Sequence, residues 1–396
     1  MVDRVEGAPR PASVSLVNNP RIRSLAVQIV LVLAIAYVGW SFVENARANL
    51  SARGIATGFG FFDQTAGFGI TQTLIPYSET STYGRAFLVG LLNTLLVAGI
   101  GVVLATILGF AIGIARLSSN FLLAKLAGAY VELMRNLPLL FQIFFWYIAV
   151  LGALPGPRQS VSLFNAFFLN NRGVIMPEPI FADGAGTVGI AFVTGILLTL
   201  AIRFWARRRQ MNTGQQFPVG LTGVVLILGL PLAVFAATGA PVSFTLPELR
   251  GFNFVGGVRI IPEFAALLVA LVTYTAAFIA EIVRAGVLAV SRGQTEAAYS
   301  LGLRPRPTLR LIVVPQALRV IIPPLTSQYL NLTKNSSLAA GIGYPDFFYV
   351  FAGTTLNQTG QAIEIIAITM GVYLAISLVT SALMNWYNRR KALVER

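Results

Sequence analysis

Four charged residues stand inside stretches that are otherwise apolar. Glu132 and Arg135 are three residues apart, and so are Glu281 and Arg284. Positions i and i+3 share a face of a helix, so each pair sets a carboxylate beside a guanidinium. That combination suits binding. A planar guanidinium grips a carboxylate through parallel hydrogen bonds, and a carboxylate holds an ammonium, so the four residues together fit a small zwitterion. Asn136 and Gln142 offer further polar atoms, and a break at Pro138 would free backbone groups for a ligand. The same residues have a second use, in which each pair neutralises itself and holds an inner gate shut. Both readings stay open; the set for ligand contact is Glu132, Arg135, Asn136, Glu281 and Arg284. Lys334, with Asn335 and Ser336, is a third polar group with either a functional or a structural role. Glu364 lies near a helix end and reads as interfacial.

Composition says what must position these residues. The chain has 396 residues, 56% hydrophobic and 11% charged, with a mean hydropathy of +0.73. A soluble domain carries roughly 25% charged residues, so this chain needs lipid as its solvent. It has no His and no Cys, which removes imidazole acid–base chemistry, thiol nucleophiles and the common zinc sites. The net charge of +14 sits mostly in short loops flanking apolar runs. That is the pattern of membrane topology, and it argues against a nucleic-acid surface.

A spanning helix takes roughly 20 mostly apolar residues. Eight runs qualify, at about Ser24–Val43, Ala86–Ala115, Phe121–Leu154, Gly186–Trp205, Val219–Ala237, Phe264–Val290, Leu311–Leu330 and Ile363–Trp386. The third is too long for one straight span, and Pro138 offers the break. The seventh contains Pro323 and Pro324 and extends toward Leu338. The first follows 23 residues and reads as an anchor, not a cleaved signal. With the N-terminus inside, eighteen Lys and Arg fall on the inner side, among them Arg116, Lys125, Arg203, Arg207, Arg208, Arg209, Arg292 and Arg304. Seven fall outside: Arg47, Arg53, Arg85, Arg158, Arg172, Arg250 and Arg259. Positive loops stay in the cytoplasm, so both termini are expected there. The long outer loops, about Glu44–Arg85 and Pro155–Ala185, are expected to be partly ordered surface segments without chemistry of their own.

Between the sixth and seventh runs lies Ser291-Arg292-Gly293-Gln294-Thr295-Glu296-Ala297-Ala298-Tyr299-Ser300-Leu301-Gly302-Leu303-Arg304. Thr295 suits an N-cap, Glu296 a first helical turn, and Gly302 the left-handed residue after a helix end. Pro305 and Pro307 prevent the helix from running on. The stretch therefore predicts a short helix across the cytoplasmic face and a return into the membrane near Thr308. It resembles the EAA loop of ABC-importer permeases: Glu296-Ala297-Ala298, then Gly302, Ile312 and Pro315 stand at that motif's spacing, with Val314 in place of its usual Leu. Tyr130–Leu140, Ala280–Gly286, Arg292-Gly293-Gln294 and Leu332–Leu338 resemble segments of polar amino acid permeases of the histidine/glutamine/arginine type, although family members often have Thr where Leu137 stands. The likeness covers roughly Ala86–Leu154 and Phe264–Asn388, and the chain length resembles subunits of general L-amino-acid uptake systems.

The resemblance implies an all-α integral membrane protein of about eight transmembrane helices. Five form a type I ABC importer core, and one N-terminal and two inserted helices are added. Its parts would be a cytoplasmic tail (1–23), an anchor helix with a periplasmic loop (24–85), the first part of the core (86–154) and an insert (155–262). The second part of the core (263–388) would carry the coupling helix (293–304), before a cytoplasmic tail (389–396). Gly293, Gln294, Glu296, Ala297, Ala298, Leu301 and Gly302 would form the ATPase-coupling surface. Glu132, Arg135, Asn136, Gln142, Glu281, Arg284, Lys334 and Asn335 would bind cargo or form the gate. The implied partners are two nucleotide-binding ATPase subunits, a second permease chain (paralogue or copy), a periplasmic amino-acid-binding protein and the bilayer, with no nucleic acid. No Gly is followed by Lys, so the phosphate loop G-x-x-x-x-G-K-[ST] is missing; ATP and Mg would serve the partner subunits and no cofactor this chain. A carrier driven by an ion gradient would have no use for such a loop. A membrane enzyme would lack groups to do chemistry.

Overall fold

A computed structural model describes residues 20–52, 54 and 57–391. Among the described residues, seven helices are long and apolar enough to cross a bilayer, and a bent pair makes an eighth. They are α1 (Pro20–Ala52), α2 (Tyr83–Ala115), the bent pair α3 (Phe121–Asn136) and α4 (Leu139–Leu151), α5 (Ala185–Thr213), α6 (Val219–Ala237), α7 (Pro262–Leu288), then, after the short α8 (Arg292–Ser300), α9 (Pro305–Ile342) and α10 (Ala362–Lys391). Each apolar run has become a helix, because lipid leaves backbone groups no partner outside their own segment. The expected tails lie outside the described residues except where α1 and α10 extend into them.

The described residues fall into two compact units, one within Met1–Asn93 and Phe347–Val379, the other within Thr94–Asp346 and Thr380–Arg396. In the second unit α7 is the axis, with Leu267, Leu271, Ile279 and Ala280 all fully buried. Small residues let its neighbours approach closely. A Cβ added to Gly109 of α2 would lie 2.6 Å from Ile279, and one at Gly113 2.8 Å from the Ala280 carbonyl and from Val283. The register ascends on both helices, so α2 and α7 run parallel. From α9, Ile321 fills the space over Gly286, where a Cβ would meet it at 2.3 Å. The α2 residue Gly101 faces Leu332, and Thr106 Oγ1 lies 2.9 Å from the Tyr329 hydroxyl, so α9 runs antiparallel to α2. α3 rests on α7 through Val131, Ala277 and Ala280, and the Tyr130 hydroxyl donates to the Thr273 carbonyl at 2.6 Å.

The structure corrects four expectations. α9 begins at Pro305, not near Thr308, because the first-turn amides of a helix have no partner anyway and prolines fit there; it then runs through Pro323 and Pro324. Helical turns at Phe348–Thr355 and Leu356–Thr359 were not anticipated. In the first unit, the outer loop before α2 is no surface segment: Phe61 and Ala66 are buried with Tyr83, Phe347, Phe351 and Ile365. Glu364 is buried as well, not interfacial, and its Oε1 accepts the Gly58 amide at 2.6 Å.

The insert folds around antiparallel ladders. Strands β1 (Val161–Leu163), β2 (Phe167–Asn170), β3 (Gly173–Met176) and β4 (Glu178–Phe181) precede α5, and β5 (Val242–Thr245), β6 (Glu248–Arg250), β7 (Asn253–Val255) and β8 (Val258–Ile260) follow α6. Two ladders join the two halves: Val174 pairs with Ile260 across β3 and β8, and Glu178 with Thr245 across β4 and β5. The segments flanking the α5–α6 hairpin therefore lie on one side. The membrane part is all helix, while the loops that join it carry small sheets.

The close approach of α2 to α7 makes a test. Gly113→Ala forces the helices apart and lowers the melting temperature of the detergent-solubilised protein, an overpacking cost of about 1–3 kcal/mol. Gly99→Ala, with nothing within 4 Å of the added carbon, leaves it unchanged.

Candidate functional site

Pro138 bends the chain as expected. Its ring excludes the helical conformation from the preceding residue, and Leu137 is extended at φ −95° and ψ 130°. α3 and α4 meet at 106°. The freed carbonyls are not left for a ligand, however. Gln142 is 5% exposed, and its Nε2 turns back to donate to the carbonyls of Met134 at 3.0 Å and Leu137 at 3.1 Å. Its Oε1 is buried with no hydrogen-bond partner among the described residues. Beside it lies an apolar cavity of about 310 Å³, walled by Leu133, Phe141, Phe145 and Trp146. Gln142 thus pins the elbow from within.

Next to the elbow, one carboxylate gathers three guanidinium groups. Glu281 Oε1 accepts from Arg284 Nη2 at 2.6 Å and Nε at 3.2 Å. Its Oε2 accepts from Arg116 and lies 3.9 Å from Arg135 Nη1. The Arg135 guanidinium also sits 5.3 Å over the Phe278 ring. Of the two self-neutralising pairs expected, only Glu281–Arg284 forms. α3 rests on α7, and Arg135 reaches across to the ring and the carboxylate there, while Glu132 stays on the exposed side without an ion pair among the described residues. Asn136 donates to the backbone carbonyl of Glu132 at 2.7 Å. Lys334 and Asn335 make no side-chain bond to this cluster among the described residues. One carboxylate and three guanidiniums leave a net charge of +2 (3 − 1). Glu281 is seven residues from the end of α7, about 10 Å at 1.5 Å per residue, so the cluster lies toward the α8 end of the bundle. Arg116 was missed as a site residue, having been counted only as a topology charge. Its position directly after the apolar run of α2 was the available signal.

α8 stands next to that end. It starts at Arg292 with Ser291 as N-cap and no side-chain cap bond, three residues before the expected cap. Thr295 is inside the helix. Gly302 behaves as expected: at φ +76° it adopts the left-handed conformation that closes a helix, and the Leu303 amide returns to the Ala298 carbonyl at 3.1 Å. Ala298 is 1% exposed and anchors the helix to the bundle, with a 3.4 Å hydrogen bond from Gln316 to Gln294. Gly293, Gln294, Glu296, Ala297 and Gly302 are all exposed, and Leu301 is 82% exposed.

Residues 101–393 match the family described as binding-protein-dependent transport system inner membrane components. The chain belongs to this family. The permease is 57% identical over 379 residues to the YhdX protein of Escherichia coli strain K12, covering 96% of each chain. It is 53% identical to the general L-amino acid transport system permease protein AapQ of Rhizobium johnstonii, over 96% of this chain and 95% of that one. It is 44% identical to the glutamate/glutamine/aspartate/asparagine transport system permease protein BztB of Rhodobacter capsulatus, over 96% of each. The permease is therefore a multi-pass membrane component of a transporter fed by a binding protein. All the site residues expected from sequence lie within the family match, and so does Arg116.

Three substitutions separate the roles inside the permease. Glu281→Gln leaves three guanidiniums without a counter-charge. Because the carboxylate is 27% exposed, the expected loss is about 1–3 kcal/mol, below that of a fully buried pair, read as a lower melting temperature. Glu132→Gln, on the exposed face, changes stability by less than about 0.5 kcal/mol. Gln142→Leu strands the carbonyls of Met134 and Leu137 and costs about 1–3 kcal/mol in the same melt.

Proposed function

We propose that this permease carries L-amino acids inward across the bacterial inner membrane by alternating access. A periplasmic binding protein delivers the cargo, and ATP is hydrolysed by two separate subunits docked on the 293–304 loop. The observation that carries the reading is α8: a short exposed helix with Glu296-Ala297-Ala298 and Gly302 at EAA spacing, anchored by Ala298 and presenting Leu301. ATPases of this kind act in pairs, and one chain offers one such helix. A second permease chain therefore completes the translocator, and the extra helices favour a paralogue over a copy. Both termini face the cytoplasm, following the excess of Lys and Arg on that side. The amino-acid cargo follows from the relatives AapQ and BztB.

The net positive cluster around Glu281 suits the cargo carboxylate, and Glu132 on the open face of α3 suits its ammonium. Asn136, Lys334 and Asn335 are further candidate contacts, whereas Gln142 is occupied with the elbow. In the inward-closed state, Arg135 bridging to Glu281 acts as the gate, so binding and gating share residues.

The test is co-purification followed by reconstitution. A nucleotide-binding protein is expected to come down with the tagged native chain and to be lost with the pair Glu296→Arg and Gly302→Asp. Labelled amino acid uptake into liposomes holding the complex and its binding protein is expected to require ATP. Uptake by this chain alone without ATP, or an ATPase that stays bound to the variant, overturns the reading.

A further inference from the structure

Three arginines that transport does not account for converge beside α8. Arg203 and Arg207, four residues apart on α5, share a face; Arg310 comes from the start of α9. With Ala206, Gln210, Phe217 and Val219 they line a cavity of about 550 Å³. Among the described residues none of the three has an ion pair or side-chain hydrogen bond. Neither segment can supply a counter-charge: there is no Asp or Glu between Asp183 and Glu248, nor between Glu296 and Asp346. All three are exposed, so water screens part of their mutual repulsion, and an anion bridging them would relieve the rest.

The surroundings say which anion. α5 has 29 residues, about 43 Å of helix against a hydrocarbon layer of about 30 Å, so its basic final third extends to the headgroup layer. Aromatic side chains mark that depth. Arg208 lies 4.4 Å over the Phe204 ring and Arg209 5.4 Å over Trp205, whose ring meets Phe217 edge-on at 5.5 Å. Phe204 and Trp205 are themselves 60% and 49% exposed. A cationic cavity with Phe217 in its wall and exposed aromatics on the neighbouring faces of α5 fits a molecule with a phosphate at one end and hydrocarbon at the other. Guanidiniums bind phosphate through paired hydrogen bonds.

We propose that Arg203, Arg207 and Arg310 form a binding site for the phosphate of an anionic phospholipid, tying the inserted hairpin to the root of α9 through a lipid. The test is native mass spectrometry of the permease complex released from detergent with phosphatidylglycerol, with phosphatidylcholine, or with inorganic phosphate. Phosphatidylglycerol is expected to be retained over phosphatidylcholine, and its affinity to fall about fivefold for each arginine removed in Arg203→Gln, Arg207→Gln and Arg310→Gln combined. Arg158→Gln, in the outer loop, should retain it fully. Arg310→Gln alone serves if the triple variant does not fold. Equal retention of both lipids, or retention unchanged in the variants, overturns the proposal. So does full displacement by millimolar phosphate, which marks a free-anion site. Loss of the ATPase with lipid retention intact also overturns it and marks a protein-docking surface.

Discussion

One carboxylate holds together the charge cluster of the second unit. Three guanidiniums gathered inside a membrane protein repel one another and resist burial; Glu281 makes their gathering tolerable. The three contacts differ in kind. Arg284 belongs to the same helix as Glu281, so its bond joins nothing. Arg116 ties the end of α2 to α7, where Gly109 and Gly113 already bring those helices together. Arg135 ties α3 to α7 with the longest contact, 3.9 Å, and is the most exposed of the three at 42%. Moving α2 away from α7 would break dense packing and a hydrogen-bonded ion pair. Moving α3 would break a looser ion contact and a cation–ring overlap of modest strength, together with the Tyr130–Thr273 hydrogen bond and the burial of Val131. The bent arm α3–α4 meets Glu281 through the longest of the three ion contacts, so Glu281 is the residue that would register a shift of that arm.

The elbow lets such an arm move without coming apart. A proline break in lipid would leave carbonyls unsatisfied. Gln142 supplies their donors from α4 itself, so the bend travels as one piece. At the other end, α8 is anchored through Ala298 and through Gln294 to Gln316 of α9, and Ser291 follows α7 by three residues. A force on α8 thus reaches the end of α7 and the root of α9 together, seven residues from Glu281 on one of them. No long-range wire is needed between α8 and the charge cluster, since only Ala289–Ser291 separate α8 from the helix that carries Glu281.

The helices were legible in the sequence because lipid makes apolar length nearly sufficient evidence. The break at Pro138 and the turn at Gly302 were legible because each rests on a local backbone restriction. What failed was everything decided between elements. Arg135 was paired with Glu132 by spacing, but a neighbouring helix offered Phe278 and a carboxylate that no count along the chain reveals. Gln142 was read as a ligand group, although the break it sits beside made carbonyls that needed it first. Thr295 has the right chemistry for a cap, yet Ser291, after the end of α7, took the place. The strands of the insert were invisible because runs of three and four residues carry too little periodicity to count. Phe61 and Glu364 were assigned to the surface from their nearness to polar loops and are buried by a partner segment more than 280 residues away.

The paired strands also close off the segment between α4 and α7 that holds the α5–α6 hairpin. A long segment between two packed helices carries a loop-closure cost and can strain their packing unless its ends are tied together. Pairing β3 with β8 and β4 with β5 brings the ends together with backbone hydrogen bonds before the hairpin begins, so the core sees a short closed connection whatever lies beyond it. Gly173 marks how tight the closure is: at φ +112°, a Cβ there would meet the Ile260 carbonyl oxygen at 2.0 Å. Within the hairpin, Gly195 packs against the Leu226 backbone and Gly223 against Thr199, which lets α5 and α6 satisfy one another without drawing on the core. The hairpin is thereby free to be specialised at its far end, and that end is where its arginines lie.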